Sequence, residues 1–204
     1  MDGTSAGLTL GRGFADPVLG AQRCFRNILA ALSEPGTVHV LDEDIAAPAP
    51  LSSGAAQTLL TLSDYETPIW LGAGAEAAAG YLRFHSGAPV VADAGAARFA
   101  VLRGEAGEPP LDAFDPGDER YPDKSATVIV QCASLEGGEG LTLAGPGIKG
   151  QRRVAPACVR DGFWDEVAAN HDRYPLGVDL ILVAGRSIMG LPRSTQVTRT
   201  ERRR

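Results

Sequence analysis

Lysine is almost missing from this chain: 204 residues contain two, Lys124 and Lys149. Both fall in predicted loops. A Schiff-base enzyme needs a lysine held against its cofactor with a lowered pKa, so little is available for one here. Histidine (His39, His85, His171) and cysteine (Cys24, Cys132, Cys158) are nearly as scarce. The cysteine number is odd and no two stand at metal-ligand spacing, which argues against a zinc site and fits a reducing cytosol. Cys24 on a predicted helix and Cys132 at a strand end are expected to pack as free thiols. Excess positive charge is absent too. A net charge of −6 and a pI near 5.1 exclude a general nucleic-acid binder, which needs a basic face. No apolar run approaches the ~18 residues that span a bilayer, and Met1 to Gly13 lacks the basic start and apolar run of a signal peptide. A soluble, cytoplasmic protein is expected. There is no P-loop and no G-x-S-x-G elbow, which removes ATP binding in that mode and the usual hydrolase serine. Aromatics make up only 6%, so Ala, Val and Leu must fill the core.

What is present is an interleaved series of helix and strand signals, in a length suited to one domain with a full core. Residues 1–13 read as a flexible N-terminus, 14–198 as a single α/β domain, and 199–204 as a basic, solvated tail. Asp16-Pro17 starts a helix, with Asp16 as N-cap and Pro17 at the first position, where its missing donor costs nothing. Val18, Phe25, Ile28, Leu29 and Leu32 then recur at helical spacing and are expected to face a core. Glu34-Pro35-Gly36 stops the helix. Further helices are predicted over 54–60, 75–84 and 163–171. Strands are predicted over 37–41, 68–71, 90–92, 98–102, 127–132, 141–144 and 178–183, with a final edge strand over 195–198. Thr127 to Cys132 and Leu141 to Ala144 are expected to pair as a hairpin across Gly137-Gly138. Val178 to Val183 is a nearly continuous apolar run, suited to a buried central strand. The pattern predicts a mixed β-sheet flanked by helices.

Few motifs carry chemistry. Gly72-Ala73-Gly74-Ala75-Glu76-Ala77 matches G-x-G-x-x-[GA] between a short strand and a helix, with Asp93 about 20 residues on. This is the layout of a dinucleotide turn, and it supports an alternative reading as a stand-alone NAD(P)-binding enzyme. The same pattern arises readily in an Ala/Gly-rich stretch, and Pro68 sits awkwardly in the preceding strand. Gly145-Pro146-Gly147 ends a strand and could present backbone N–H groups to an anion, although Pro146 removes one donor. Arg120, Lys124 and Arg193 stand beside turns; together with Gly145 and Gly147 they are the candidate phosphate-binding residues. Lys149, Arg152 and Arg153 add positive charge nearby. His85 and His171 lie near helix exits, where a histidine most often meets carbonyls. No catalytic residue can be assigned.

Six segments in register carry a family resemblance. They are Phe14-Ala15-Asp16-Pro17-Val18, Asp64-Tyr65-Glu66-Thr67-Pro68-Ile69-Trp70-Leu71, Tyr121-Pro122-Asp123-Lys124-Ser125-Ala126-Thr127, Leu141-Thr142-Leu143-Ala144-Gly145-Pro146-Gly147-Ile148, Pro175-Leu176-Gly177-Val178-Asp179-Leu180 and Leu191-Pro192-Arg193-Ser194-Thr195. From about Phe14 to about Val197 the chain resembles the PhnH family, subunits of the bacterial carbon–phosphorus lyase system. The resemblance implies the fold of pyridoxal-phosphate transferases without that cofactor, so this chain is expected to bind none. It implies a cytosolic complex in which an alkylphosphonate is joined to C1′ of ATP ribose and adenine leaves, giving a ribose 1-phosphonate 5-triphosphate. A different, iron–sulfur subunit later cleaves the carbon–phosphorus bond. That first step needs an oxocarbenium stabiliser, a proton donor for adenine and cations for the phosphonate and triphosphate. The chain displays no such set, so a non-catalytic or supporting subunit is expected, with the other core subunits as partners and a homodimer when isolated. No metal, membrane or nucleic acid enters this picture.

Overall fold

A computed structural model describes residues 11–157 and 160–200. Helix α1 (Pro17–Ser33) begins as the sequence predicts. Asp16 Oδ1 accepts from the N–H groups of Val18 and Leu19, both at 3.0 Å, and Pro17 takes the first turn. The apolar stripe expected to face the core divides. Cys24 and Ile28 are buried, with Gly20 and Ala31 beside them, but Val18, Phe25 and Leu29 remain 77%, 49% and 56% exposed. The reason is close approach. A Cβ on Gly190, in a strand over Ser187–Leu191, would lie 2.4 Å from the Ala31 carbonyl oxygen, so α1 meets the sheet through its small residues and turns larger ones outward.

Strand β1 (Val38–Val40), α2 (Ser53–Leu62), β2 (Ile69–Leu71), α3 (Glu76–Ser86), β3 (Val90–Val91) and β4 (Phe99–Leu102) follow. Then come β5 (Thr127–Gln131), β6 (Leu141–Ala144), β7 (Arg152–Val154), α4 (Phe163–Asp172), β8 (Asp179–Ala184), β9 (Ser187–Leu191) and β10 (Gln196–Arg199). Seven strands form one mixed sheet in the order β1-β9-β8-β5-β4-β2-β3. From β8 to β3 each neighbouring pair is parallel, and β9 runs antiparallel to both β8 and β1. A second, three-stranded antiparallel sheet has the order β10-β6-β7.

Two apolar layers sandwich the main sheet. Ile129, Ile181, Val183 and Ile188 pack with residues of α1, α2 and α3 on one face. Val128, Val130, Leu180, Leu182 and Met189 pack on the other with Phe163, Trp164 and Val167 of α4 and with Leu141, Leu143 and Val197 of the small sheet. The mixed sheet flanked by helices is as expected; the predicted hairpin is not formed. β5 lies between β4 and β8 with Val128, Ile129 and Val130 all buried, so both of its faces need covering and neither edge is free for β6. β6 alternates buried and half-buried residues and joins the small sheet instead. Hairpins form instead between β8 and β9, through Gly185 and Arg186, and between β6 and β7; β7 and β9 were not anticipated.

Cys24 is a free, buried thiol, and burial pushes its pKa up to about 11. Cys132, half-buried at the end of β5, is disulfide-bonded, which overturns the expectation of a free thiol there. Cys158 lies outside the described residues, as do 1–10 of the expected flexible N-terminus and 201–204 of the expected basic tail. Next to these, the Arg12 carbonyl accepts a bond from the Tyr81 hydroxyl, and Arg199 belongs to β10. Among the described residues no helix is long and apolar enough to cross a membrane.

Candidate functional site

Three of the segments singled out in the sequence meet on one guanidinium. Asp179 opens β8, where a carboxylate precedes a buried apolar run, and Arg193 follows the end of β9, two residues past Leu191. Their strands are adjacent and antiparallel, which brings the two side chains together. Arg193 Nε donates to Asp179 Oδ1 at 3.1 Å and Nη2 to Oδ2 at 2.6 Å, while the Arg193 N–H donates to Oδ1 at 2.9 Å. The same guanidinium donates to the Pro122 carbonyl at 2.8 Å, to the Pro175 carbonyl at 3.5 Å and to the Ser125 hydroxyl. Its side chain is 12% exposed. Arg193 thus ties together the turns before β5, before β8 and after β9, with its donors taken by the protein itself.

The glycine turn after β6 comes to the same neighbourhood, packed and with little open space. A Cβ on Gly145 would lie 2.8 Å from the Ser194 carbonyl oxygen, and one on Gly147 would lie 2.1 Å from that of Ser33. Gly147 also has a φ of +78°, open chiefly to glycine. Arg120 and Lys124 remain at the surface. The Lys124 Nζ stands 4.1 Å, and the Arg120 guanidinium 5.3 Å, from the centre of the Tyr121 ring. Neither forms an ion pair among the described residues. Asp118 shapes this turn by accepting from the N–H groups of Arg120 and Tyr121 at 2.8 and 2.7 Å. The five sequence candidates therefore divide: Arg193 is saturated, Gly145 and Gly147 pack on backbone, and Arg120 and Lys124 offer cations on an aromatic face. Asp179 and Ser125 were not anticipated as partners of Arg193. The only sequence signal was a carboxylate at the mouth of an apolar strand.

The other basic residues have separate employment. Arg152 Nη1 donates to the carbonyls of Glu34 and Pro35 at 3.1 and 2.7 Å and to the Thr37 hydroxyl, holding the exit of α1 against β7. Arg160 grips Glu166 at 2.5 and 2.9 Å, and Glu166 also accepts from the Leu111 N–H at 3.0 Å. Burial pushes the Glu166 pKa up, but the bonds from Arg160 and Leu111 outweigh it and hold the carboxyl below its ordinary value. His171 Nδ1 lies 3.0 Å from the Arg193 carbonyl oxygen, and His85 Nε2 lies 2.9 Å from that of Gly11. Among the described residues no group of three His, Cys, Asp or Glu gathers to hold a metal ion.

The Gly72–Ala77 turn does join a strand to a helix in a β-α-β unit, since β3 pairs parallel beside β2. Helix α3 has no side-chain cap at Ala75. Asp93 comes just after β3, where its Oδ1 accepts from the Gly95 N–H at 3.1 Å and shapes the next turn. Arg103, after β4, approaches the turn but is paired with Glu105 at 3.0 Å. Glu108, 7% exposed, ties that loop by accepting from the N–H groups of Arg103 and Glu105 at 2.7 and 3.0 Å.

The model of the family described as "Bacterial phosphonate metabolism protein (PhnH)" matches residues 12–198. The alpha-D-ribose 1-methylphosphonate 5-triphosphate synthase subunit PhnH of Rhizobium meliloti (strain 1021) is 39% identical over 188 residues, 91% of this chain and 94% of the relative. The putative C-P lyase subunit protein HtxG of Stutzerimonas stutzeri is 35% identical over 81 residues, 40% of this chain and 42% of that protein.

Proposed function

This chain belongs to the PhnH family, and we propose that it is a supporting subunit of the carbon–phosphorus lyase assembly, at its alpha-D-ribose 1-methylphosphonate 5-triphosphate synthase step. The observation that carries the reading is the 39% identity across nearly the full length of a subunit bearing that function in its name. In that step the phosphonate takes the place of adenine on C1′ of ATP ribose, which calls for an acid, an oxocarbenium stabiliser and cations. Two arginines here are already committed, Arg193 to Asp179 and Arg160 to Glu166. The assignment of catalysis to a partner subunit rests on that commitment. Arg120 and Lys124 are the groups we propose to meet the phosphonate or triphosphate.

Finer features belong to the same proposal. Residues 14–198 act as one domain with the fold of pyridoxal-phosphate transferases, a reading supported by a seven-stranded mixed sheet with a single reversed strand. The chain itself carries no cofactor; Lys124 and Lys149 are both exposed on turns, a poor setting for a Schiff base. It works in the cytoplasm. Alone it forms a homodimer, for which the outward Val18, Leu19, Phe25 and Leu29 of α1 offer apolar surface.

The test has two arms. Tagged chain expressed in phosphate-starved source cells is expected to bring the other lyase subunits down in near-equal amounts. Purified alone, it is expected to release no adenine from ATP and methylphosphonate. Adenine release by the isolated chain would overturn the supporting role. The second reading, NAD(P) binding at Gly72–Ala77, is favoured by the parallel β2-α3-β3 unit. It requires clear NADH binding by calorimetry, lost on Gly74→Val.

A further inference from the structure

Among the described residues, strand β1 is an open edge of the seven-stranded sheet. Its sequence, Val38-His39-Val40, carries no proline and no charged residue of the kind that usually guards a sheet edge. β1 pairs on one side only, with β9, in the register Val38↔Met189, His39↔Ile188, Val40↔Ser187. The Leu41 N–H continues this ladder to the Arg186 carbonyl at 2.9 Å. Antiparallel bonds alternate by residue, so His39 and Leu41 face β9, and the N–H and C=O of Val38 and Val40 point outward. Among the described residues no other backbone group meets them. Val38 and Val40 are 39% and 55% exposed, and their side chains lie on the Met189 side of the sheet.

That side is a groove. A cavity of about 380 Å³ is lined by Val38, Met189, Leu135, Leu141 and Val154, and a second of about 370 Å³ continues past Val38 along Ala133–Glu136 to Ser187. The far wall of the first is β7, itself the edge of the three-stranded sheet. Two charges stand at the groove, Arg153 on β7 and Glu136, both exposed and in no ion pair among the described residues. Unpaired strand backbone, alternate apolar positions and one open charge of each sign define what fits: another polypeptide in extended conformation.

We propose that β1 is a β-augmentation site, adding as an eighth strand an extended segment of another subunit of the assembly. This rests on the subunit reading above. The segment has apolar side chains at alternate positions to fill the space between Val38, Leu135 and Leu141. It carries a carboxylate toward Arg153 and a cation toward Glu136.

The experiment compares wild type with three variants, each co-expressed with the other lyase subunits. Val40→Pro removes an outward N–H and leaves the bonds of His39 and Leu41 to β9 in place. Val38→Lys keeps every backbone bond and adds a guarding charge, so it stands in if the proline variant does not fold. Arg153→Glu reverses the charge. Recovery of partner subunits is expected to fall at least tenfold for Val40→Pro and Val38→Lys, with a smaller, salt-dependent fall for Arg153→Glu, while circular dichroism stays that of wild type. In the wild-type assembly the Val38 and Val40 amides are expected to exchange with deuterium at least tenfold more slowly than in the isolated chain. If wild type assembles and the variants do too, or the amides exchange alike in both states, the edge proposal falls while the subunit reading stands. If wild type itself recovers no partner, the subunit reading falls and takes this proposal with it. Protection in the isolated chain that grows with concentration would assign the edge to a second copy and overturn the proposal.

Discussion

The guanidinium of Arg193 meets the carboxylate of Asp179 fork to fork, Nε 3.1 Å from Oδ1 and Nη2 2.6 Å from Oδ2, with both side chains largely withdrawn from water. A cation that looked available for phosphate in the sequence is therefore the clasp of three turns. Removing it strands a carboxylate and leaves the carbonyls of Pro122 and Pro175 without that donor. Arg193→Ala is expected to cost about 2–3 kcal/mol in urea unfolding. Lysine at 193 recovers only part, because an ammonium cannot reproduce the fork. A loss below about 0.5 kcal/mol would remove the clasp role.

The pair Arg160–Glu166 makes a pH-dependent contribution. Folding lowers the Glu166 pKa from its ordinary 4.5, since the Arg160 and Leu111 bonds outweigh burial. A depressed folded value means the stabilisation is present in full above the unfolded value and disappears as pH falls through the folded one. Wild type is expected to exceed Glu166→Gln by about 1–3 kcal/mol at neutral pH, with the difference closing only below 4.5. Chemical denaturation of both proteins across that range checks it; a gap independent of pH would contradict the assignment.

Gly147 marks where the turn after β6 lies against the end of α1. A methyl there meets the Ser33 carbonyl oxygen at 2.1 Å on a backbone with φ of +78°. Gly147→Ala is expected to destabilise by about 2 kcal/mol or more, lowering the melting temperature by several degrees. Calorimetry measures it. Gly137, also at positive φ but with nothing within 4 Å of its Cβ, serves as the milder comparison.

Arg120 and Lys124 flank Tyr121 at the surface and form no ion pair among the described residues. In the assembled complex, Lys124→Ala and Arg120→Ala are each expected to weaken ATP or methylphosphonate binding about threefold, more at low salt, with unchanged thermal stability. Isothermal titration at two ionic strengths reads this out. Unchanged affinity in the double variant would remove the turn from the substrate path.

Much of the fold was legible along the chain because its signals are local. Asp16-Pro17 starts α1 through bonds spanning three residues, and Val178 to Val183 reads as a buried strand from its unbroken apolar run. The misread elements are those whose fate depends on distant neighbours. Thr127 to Cys132 looked like half of a hairpin, but β4 and β8 claim both of its edges. The α1 stripe looked like core, but the close approach of Gly190 to Ala31 chose the small residues instead.

The sequence by itself determined the type of most elements, though not of β7 and β9, together with the acidic balance and the register of six segments that place the chain in its family. Local hydrogen bonding and residue order are enough for these. Only the tertiary structure decided which charged groups are spent and which are free. Asp179 and Arg193 are 14 residues apart along the chain and joined at 2.6 Å in space, while Lys124, equally basic in the sequence, keeps its charge at the surface over Tyr121. Pairing and desolvation depend on distances through space, which spacing along the chain does not encode.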